Sequence, residues 1–534
     1  MKDKTSIRRM KMKIPMKRVV ISGIWLIVLF SAQVNAEECK CEDLLKIEVP
    51  GYDMVINEAK IIPEGKLPPS PYGGPVWNGL IPEYCRIDGE IDKRTGYEGK
   101  PYAIGFAVAM PNNWNGRFMF QGGGGLNGIV RDPVGSMSGG PPALARGFAV
   151  VSSDTGHKSG PMPFDSSFFA DQEALMNFLY KAIGKVTVVA KTIIEKRYSK
   201  PIEYSYYVGC STGGREAMMM SQRYPDYFNG IVSGAPAMRT NFSNLGVRWL
   251  QVSLNQAAPK DAGGDPMPGG ALSESDVDLI IDAFLDACDK RDGIEDEMVF
   301  DISGCDFDPA SLVCKGEKTD HCLTEEQVTA LKKGMAGPVD CRGNQVYSPF
   351  LYDTGINAKT GIPGLLNITN SMLGPPTKDI TIDLDKEALA ASNAYSAVGD
   401  SFNWTNLSTF YGNGGKLIFY HGVSDPWFSA LDTVEYYKNL IKDNGGAERV
   451  SEWCRLFLVP GMGHCSGGEK TVDQFDMLSA IVNWLEKGEA PDTIIATGRA
   501  FPGSSRPLCP YPKYPHYIGK GDSRDAKNYE CREQ

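Results

Sequence analysis

Histidine is scarce in this chain: five in 534 residues, at positions 157, 321, 421, 464 and 516. A mechanism that needs an imidazole base therefore has few residues to choose from. Excess positive charge is missing too, with 55 Lys and Arg against 65 Asp and Glu. That balance excludes nucleic acid as a natural partner, because such binding needs a basic footprint. The cysteines form no CxxC pair with a second CxxC or an HxxxH, so a zinc site is not expected. Beyond residue 30 no apolar run is long enough to span a bilayer. Nor is there an internal repeat or a long low-complexity segment.

What the N-terminus does have is an ordered succession of charge, apolar run and small residues. Residues 1–18 carry Lys2, Lys4, Arg8, Arg9, Lys11, Lys13, Lys17 and Arg18 against Asp3 alone. An apolar run follows from Val19 to Phe30, and then Val34-Asn35-Ala36. This reads as a secretory signal over residues 1–36, cleaved after Ala36. A membrane anchor is the rival, but the run has 12 residues and a spanning helix needs about 20. The expectation is a secreted or periplasmic protein with no membrane attachment after cleavage. About 500 mature residues exceed one ordinary domain and can bury a large core, so cysteines are not needed to make a small fold viable. Thirteen cysteines in an exported chain should mostly be disulfides. The odd number leaves at least one free or paired between molecules.

Residues 37–100 are rich in Pro and Gly, with few periodic segments. Strand patterns begin near Tyr102 (Tyr-Ala-Ile-Gly-Phe-Ala-Val-Ala-Met) and recur at Arg117–Phe120, Gly147–Ser152, Tyr204–Val208 and Ile231–Pro236. Helical stretches fall at about 171–197 and 214–223. Strands alternating with helices, as continuous apolar runs, point to an α/β architecture with a mostly parallel sheet covered on both faces. The character changes after Ala237. Residues 238–410 hold scattered short helices, such as 273–288 and 324–333, between acidic and Gly/Pro-rich stretches with four close cysteines. Alternation returns at Lys416–Tyr420 and Leu456–Val459, followed by a helix over 472–487. The chain thus reads as an α/β core in two parts, 37–237 and 411–534, interrupted by an inserted domain over 238–410.

Gly209-Cys210-Ser211-Thr212-Gly213 matches G-x-S-x-G, and its context is a strand before and a helix-forming run after. That is the setting in which a sharp turn lifts a serine hydroxyl above a sheet. The acid and base should follow in that order. Asp425 lies just past the strand at 416–420, and His464 sits in the turn Pro460–His464 past the strand at 456–459. Ser211, Asp425 and His464 therefore occur in α/β-hydrolase order, each beyond the C-terminal end of a strand, where such sheets carry their chemistry. Cys210 precedes the serine and Cys465 follows the histidine. Were these two bonded, their Cα atoms would lie roughly 4.4–6.8 Å apart, bringing an alcohol and an imidazole together from distant parts of the chain. His421 lies close to Asp425 and is a candidate to line the substrate site or to pack at a strand end. His321 precedes a helix start and suits the surface. Asp154, near His157, is the rival acid, but it precedes the serine. An oxyanion hole needs N–H donors. Thr212 should supply one, and the glycine loop after Phe120, at Gly124 or Gly125, the other. A phosphate-binding loop is the competing reading of those glycines, but the Lys-Ser/Thr ending is missing.

Cys288-Asp289-Lys-Arg-Asp292-Gly-Ile294-Glu-Asp296-Glu-Met298 carries three aspartates in eight positions. Calcium takes six to eight oxygens from carboxylates and carbonyls. Asp289, Asp292 and Asp296, with the carbonyls of Ile294 and Met298, could form such a cage. A solvated acidic loop is the alternative.

Gly209–Gly214, His421–Trp427, Gly461–Cys465, Arg506-Pro-Leu-Cys-Pro-Tyr-Pro and Asp525–Cys531 together resemble the tannase and feruloyl esterase family of α/β hydrolases. The resemblance covers nearly the whole mature chain. It implies a Cys210–Cys465 bond, a lid domain matching residues 238–410, and a lid-borne Ca2+ in the 288–296 loop. It further implies that Cys288 pairs with Cys305, Cys314 with Cys322 and Cys509 with Cys531, and that Cys85 pairs with Cys41 or Cys39. Cys341 and Cys454 gain no partner from it. The family hydrolyses esters of aromatic acids: gallate, ferulate and related hydroxycinnamates and, in one branch, a terephthalate monoester. The expected substrate is a small-molecule or polysaccharide-linked aromatic ester. Phe350, Tyr352 and Trp404 are aromatic candidates in the lid, with packing in the lid core as the alternative. A secreted serine peptidase on the same fold and a silent aromatic-ligand-binding protein are the competing functions.

Overall fold

The computed structural model describes residues 39–67, 77–136, 139–160, 164–359, 362–367 and 376–533. The export signal expected over 1–36 lies outside the described residues. Nine strands make the main sheet: β1 Met54–Ile62, β2 Tyr84–Thr95, β3 Pro101–Pro111, β4 Arg117–Gln121, β5 Ala149–Ser153, β6 Tyr204–Cys210, β7 Gly230–Gly234, β8 Lys416–Gly422 and β9 Cys454–Val459. Across the sheet their order is β1-β2-β3-β5-β4-β6-β7-β8-β9. The pairs β1/β2, β2/β3 and β3/β5 are antiparallel. From β5 onward every pairing is parallel.

The helices that matter here are α1 Ala182–Tyr198, α2 Thr212–Arg223, α3 Thr240–Asn255, α4 Glu274–Cys288, α5 Glu325–Met335, α6 Ala430–Asp443 and α7 Met477–Lys487. Alternate strand residues feed two cores. Phe118 and Phe120 join Val186, Met219 and Leu440 from α1, α2 and α6 on one face. Met119 joins Leu478, Ile481 and Trp484 from α7 on the other. Burial on both faces is why β4 to β9 read as near-continuous apolar runs. This is an α/β-hydrolase fold.

Four elements depart from the sequence reading. Strands β1 and β2 lie in the stretch that showed few periodic segments. In β2 the inward Cys85, Ile87 and Ile91 alternate with Arg86, Asp88 and Glu90, and that charge hides a half-buried strand. The helix expected over 171–197 is two pieces, Gln172–Met176 and α1, joined by a wide turn. There the guanidinium of Arg215 takes the carbonyls of Phe178 and Leu179. The last helix begins at Met477, not 472, because Gln474 and Phe475 pair with Ala496 and Thr497 and Asp476 caps the helix.

Strands β7 and β8 are neighbours in the sheet, although one ends at Gly234 and the other starts at Lys416. The chain between them folds around α3, α4 and α5. Capping boxes at Ser273/Asp276 and Thr324/Gln327 start α4 and α5. Val247, Leu250, Ile280, Leu331 and Tyr347 form their shared core, which also takes in Trp427 and Phe428 from the loop after β8.

Five disulfides are present: Cys41–Cys85, Cys210–Cys465, Cys288–Cys305, Cys314–Cys322 and Cys509–Cys531. Of the two partners left open for Cys85, the bond is to Cys41. Cys39, Cys341 and Cys454 are free thiols.

Candidate active site

Ser211 stands between the end of β6 and the first turn of α2, with φ 64° and ψ −125°. L-residues other than glycine avoid such dihedrals, and residues held in them cluster at active sites. The flanking glycines are required by close packing. A Cβ on Gly209 would lie 2.4 Å from the carbonyl oxygen of Gly213, and one on Gly213 would lie 2.7 Å from that of Gly123. The turn and the glycine loop are thus pressed backbone to backbone, which is why the pattern is G-x-S-x-G.

Asp425 and His464 meet. Asp425 Oδ2 accepts from His464 Nδ1 at 2.6 Å. Its Oδ1 accepts from the N–H groups of Trp427 and Phe428 at 2.9 and 3.1 Å. Burial pushes the Asp425 carboxyl up, but the charges and hydrogen bonds of His464 and His421 outweigh it and hold the group well below the usual carboxylate range. His464 is 5 % exposed, with Trp427 and Phe428 against its ring at 4.8 and 5.3 Å between centroids. Its Nε2 is buried and finds no protein partner among the described residues. Ser211 therefore does not yet donate to it, as is common before substrate tightens a site. The Cys210–Cys465 bond, with Cα atoms 5.9 Å apart, holds the two residues in neighbouring turns.

The glycine loop after β4 lies over the start of α2. The Thr212 hydroxyl donates to the carbonyl of Gly125. Among the described residues no acceptor takes the N–H groups of Thr212, Gly124 or Gly125, so those expected donors are available. Gly123 points elsewhere: its N–H goes to Glu216 at 3.0 Å. Glu216 also accepts from Asn127 and from the Tyr207 hydroxyl at 2.7 Å, and it is completely buried. This carboxylate anchors the loop, and the sequence reading missed it.

His421, a candidate to line the substrate site, does not line it. It is fully buried, with Nδ1 on Thr433 at 2.8 Å and Nε2 on the Phe428 carbonyl at 2.9 Å. Both ring nitrogens are engaged, which leaves none for a ligand. Asp425 Oδ2 is 3.3 Å from its Nε2. Asp154, the rival acid, is held by Gly105, Gly156 and Lys158, each at 2.8–2.9 Å. Its neighbour His157 stacks on Phe168 at 3.5 Å, and burial pushes it down to about 4. His321 is exposed. Of the aromatics in the inserted segment, Phe350 is buried and Tyr352 packs on Phe307 at 5.2 Å, while Trp404 is half exposed beneath Arg223.

In the acidic loop Asp289 accepts from the N–H groups of Asp296 and Glu297 at 3.3 and 2.9 Å, and Asp296 pairs with Arg506. Among the described residues no three His, Cys, Asp or Glu side chains converge as a ready metal cage. Asp292 nevertheless suits a cation. Its Oδ1 is buried with no hydrogen-bond partner among the described residues. Burial first, then the charges of Asp296 and Asp289, push its carboxyl up to about 8. A divalent ion would relieve both.

The family model for tannase and feruloyl esterase matches residues 85–367 and 366–532. Mono(2-hydroxyethyl) terephthalate hydrolase of Piscinibacter sakaiensis is 37 % identical to this chain, over 84 % of it and 85 % of that protein. A probable feruloyl esterase of Arthroderma benhamiae is 29 % identical, over 96 % and 98 %. Among solved structures, feruloyl esterase B from Aspergillus oryzae superposes with a TM-score of 0.74 at 26 % identity, over 92 % of this chain and 99 % of that one.

Proposed function

The chain belongs to the tannase and feruloyl esterase family of carboxylic ester hydrolases, and from that premise we propose that it is an exported serine esterase for esters of aromatic acids. His464 takes the proton of Ser211 as the hydroxyl attacks the ester carbonyl, and Asp425 orients the imidazole and stabilises its charged form. The N–H groups of Thr212 and of Gly124 or Gly125 hold the oxyanion; losing one such donor costs about 10²–10³ in rate. The alcohol leaves with the proton from His464, and water then releases the acid. His421 acts through Asp425 rather than on substrate. Residues 238–410 serve as the lid. The single observation that carries this reading is the 2.6 Å Asp425–His464 contact tied by a disulfide to a serine with φ 64°.

Galloyl and feruloyl esters are the first substrates of this reading. A terephthalate monoester is the second, favoured by the similarity to the Piscinibacter protein. Methyl gallate, methyl ferulate and mono(2-hydroxyethyl) terephthalate, compared on kcat/KM, test it. At least one should be hydrolysed far faster than an aliphatic methyl ester and faster than the matching amide. Preference for the amide would make the protein a peptidase.

Calcium completes the proposal as a structural ion on Asp289, Asp292 and Asp296 with the carbonyls of Ile294 and Met298; bound there, it would offset two of the three carboxylate charges, and Arg506 beside Asp296 the third. Asp292 sets the pH dependence. Its folded pKa of about 8 stands above the ordinary 3.8, so without the ion its contribution to stability is full at low pH and is lost as pH rises through about 8. Chelation with EDTA should therefore lower Tm more at about pH 9 than at about pH 5, and excess Ca2+ should close the gap. Equal Tm with and without EDTA at both pH values would remove the ion from the account.

A further inference from the structure

Asp353 lies in the chain inserted between β7 and β8, and it is 1 % exposed. Its Oδ2 accepts the Ser424 hydroxyl at 2.7 Å and the Gly461 N–H at 2.6 Å. Its Oδ1 accepts the N–H of Thr354 at 2.8 Å. Ser424 is the residue before Asp425, and Gly461 opens the turn that carries His464. One carboxylate oxygen thus ties together the two turns that bear the acid and the base. The contact is reinforced on either side. Ser424 Oγ accepts the Gly355 N–H at 3.0 Å, and Thr354 Oγ1 donates to the Lys470 carbonyl at 3.3 Å. There is no slack between the three segments: a Cβ on Gly355 would lie 2.6 Å from both the Gly461 carbonyl oxygen and Ser424 Cβ.

A carboxylate is an expensive group to bury, and capping the short turn at Thr354 needs only a single neutral acceptor. An ionised carboxylate accepts at both oxygens and donates nothing, so it satisfies all three N–H and O–H groups at once. An amide would turn two hydrogens toward one set of these donors.

We propose that Asp353 is a positioning residue through which the inserted segment sets the register of the acid turn against the base turn. The inference rests on the reading of Asp425 and His464 as catalytic. It means that the lid is bonded into the triad's support as well as lying over it.

The test uses the full mature protein and p-nitrophenyl acetate, with proton NMR of the His464 Nδ1–H···Asp425 bond, whose resonance lies far downfield. Asp353→Asn should lower kcat about 10- to 100-fold, the scale expected of misplacement by an ångström or less, with KM little changed, and should shift or broaden the downfield proton. Ile87→Ala serves as the control. It opens the core at β2, toward the opposite edge of the sheet from β8 and β9, whose ends lead into these turns, and should lower Tm while leaving kcat and the proton in place. Asp353→Asn with wild-type kcat and an unmoved resonance would overturn the proposal; so would Ile87→Ala reproducing both effects. If Asp353→Asn does not fold, Ser424→Ala removes one of the two donors on Oδ2. It should give a smaller loss in the same direction, and an unchanged kcat there also overturns the proposal. Turnover surviving in both Asp425→Ala and His464→Ala would instead sink the triad reading itself.

Discussion

With alanine at position 211, kcat should fall by about a millionfold with KM nearly unchanged, the size of loss seen when a serine nucleophile is removed from an acyl-transfer site. The fold should not suffer. Alanine at φ 64° is no more strained than serine, and among the described residues the hydroxyl makes no hydrogen bond that holds the elbow together. A fluorophosphonate should label the wild-type chain on the peptide containing Ser211 and leave the variant unlabelled. The N–H groups proposed to hold the oxyanion remain in the variant, so a residue of catalysis above the water rate is expected. Turnover near the wild-type rate in Ser211→Ala would place the nucleophile elsewhere. Among the described residues no other serine has the same strand-to-helix turn with positive φ, so the mechanism would then have to be abandoned rather than adjusted.

The second large effect is expected from removing the Cys210–Cys465 bond with a Cys210→Ala, Cys465→Ala double variant, which leaves no stray thiol. The bond closes a span of 255 residues. By chain entropy alone such a loop is worth about 5 kcal/mol, an upper value that native strain usually reduces. Activity should fall further than this stability loss explains. At a temperature where circular dichroism shows the variant fully folded, kcat should still be lower by about a hundredfold, as expected when reacting groups are displaced by an ångström. The reason lies in the backbone beside the base. Cys465 has φ 67°, a left-handed conformation uncommon for a non-glycine residue. Losing the bond removes one restraint on that conformation and so on the adjoining His464 ring. A folded double variant with wild-type kcat would confine the bond to a role in stability.

Much of this site was legible because its chemistry is local. A strand, G-x-S-x-G and a helix lie within twenty residues or so, and the acid and base follow strands in a fixed order. The five disulfides came from the family resemblance; spacing alone did not give them, and Cys85 kept two possible partners until the structure showed Cys41. His421 illustrates the limit of local reading. Position beside Asp425 fits either a substrate contact or a buried support, and only the partners of its two nitrogens distinguish them. Glu216 and Asp353 were invisible for a different reason. Each draws its meaning from turns far away in sequence, Gly123 in one case and Gly461 in the other. A carboxylate that accepts across such distances has no periodic signature. Strand β2 was hidden by ordinary means: alternate charged residues made a half-buried strand look like a polar connection.

The place of the insertion has a consequence for biosynthesis. Strand β7 is complete at Gly234, but its sheet neighbour begins only at Lys416. While the ribosome makes the intervening stretch, β7 presents a bare edge, the kind that recruits other chains. Over the same interval Cys210 waits with its thiol open while Cys288, Cys305, Cys314 and Cys322 emerge ahead of Cys465. Wrong partners are therefore on offer before the right one, and wherever thiols oxidise as the chain arrives, late thiol exchange or delayed oxidation would favour the active form.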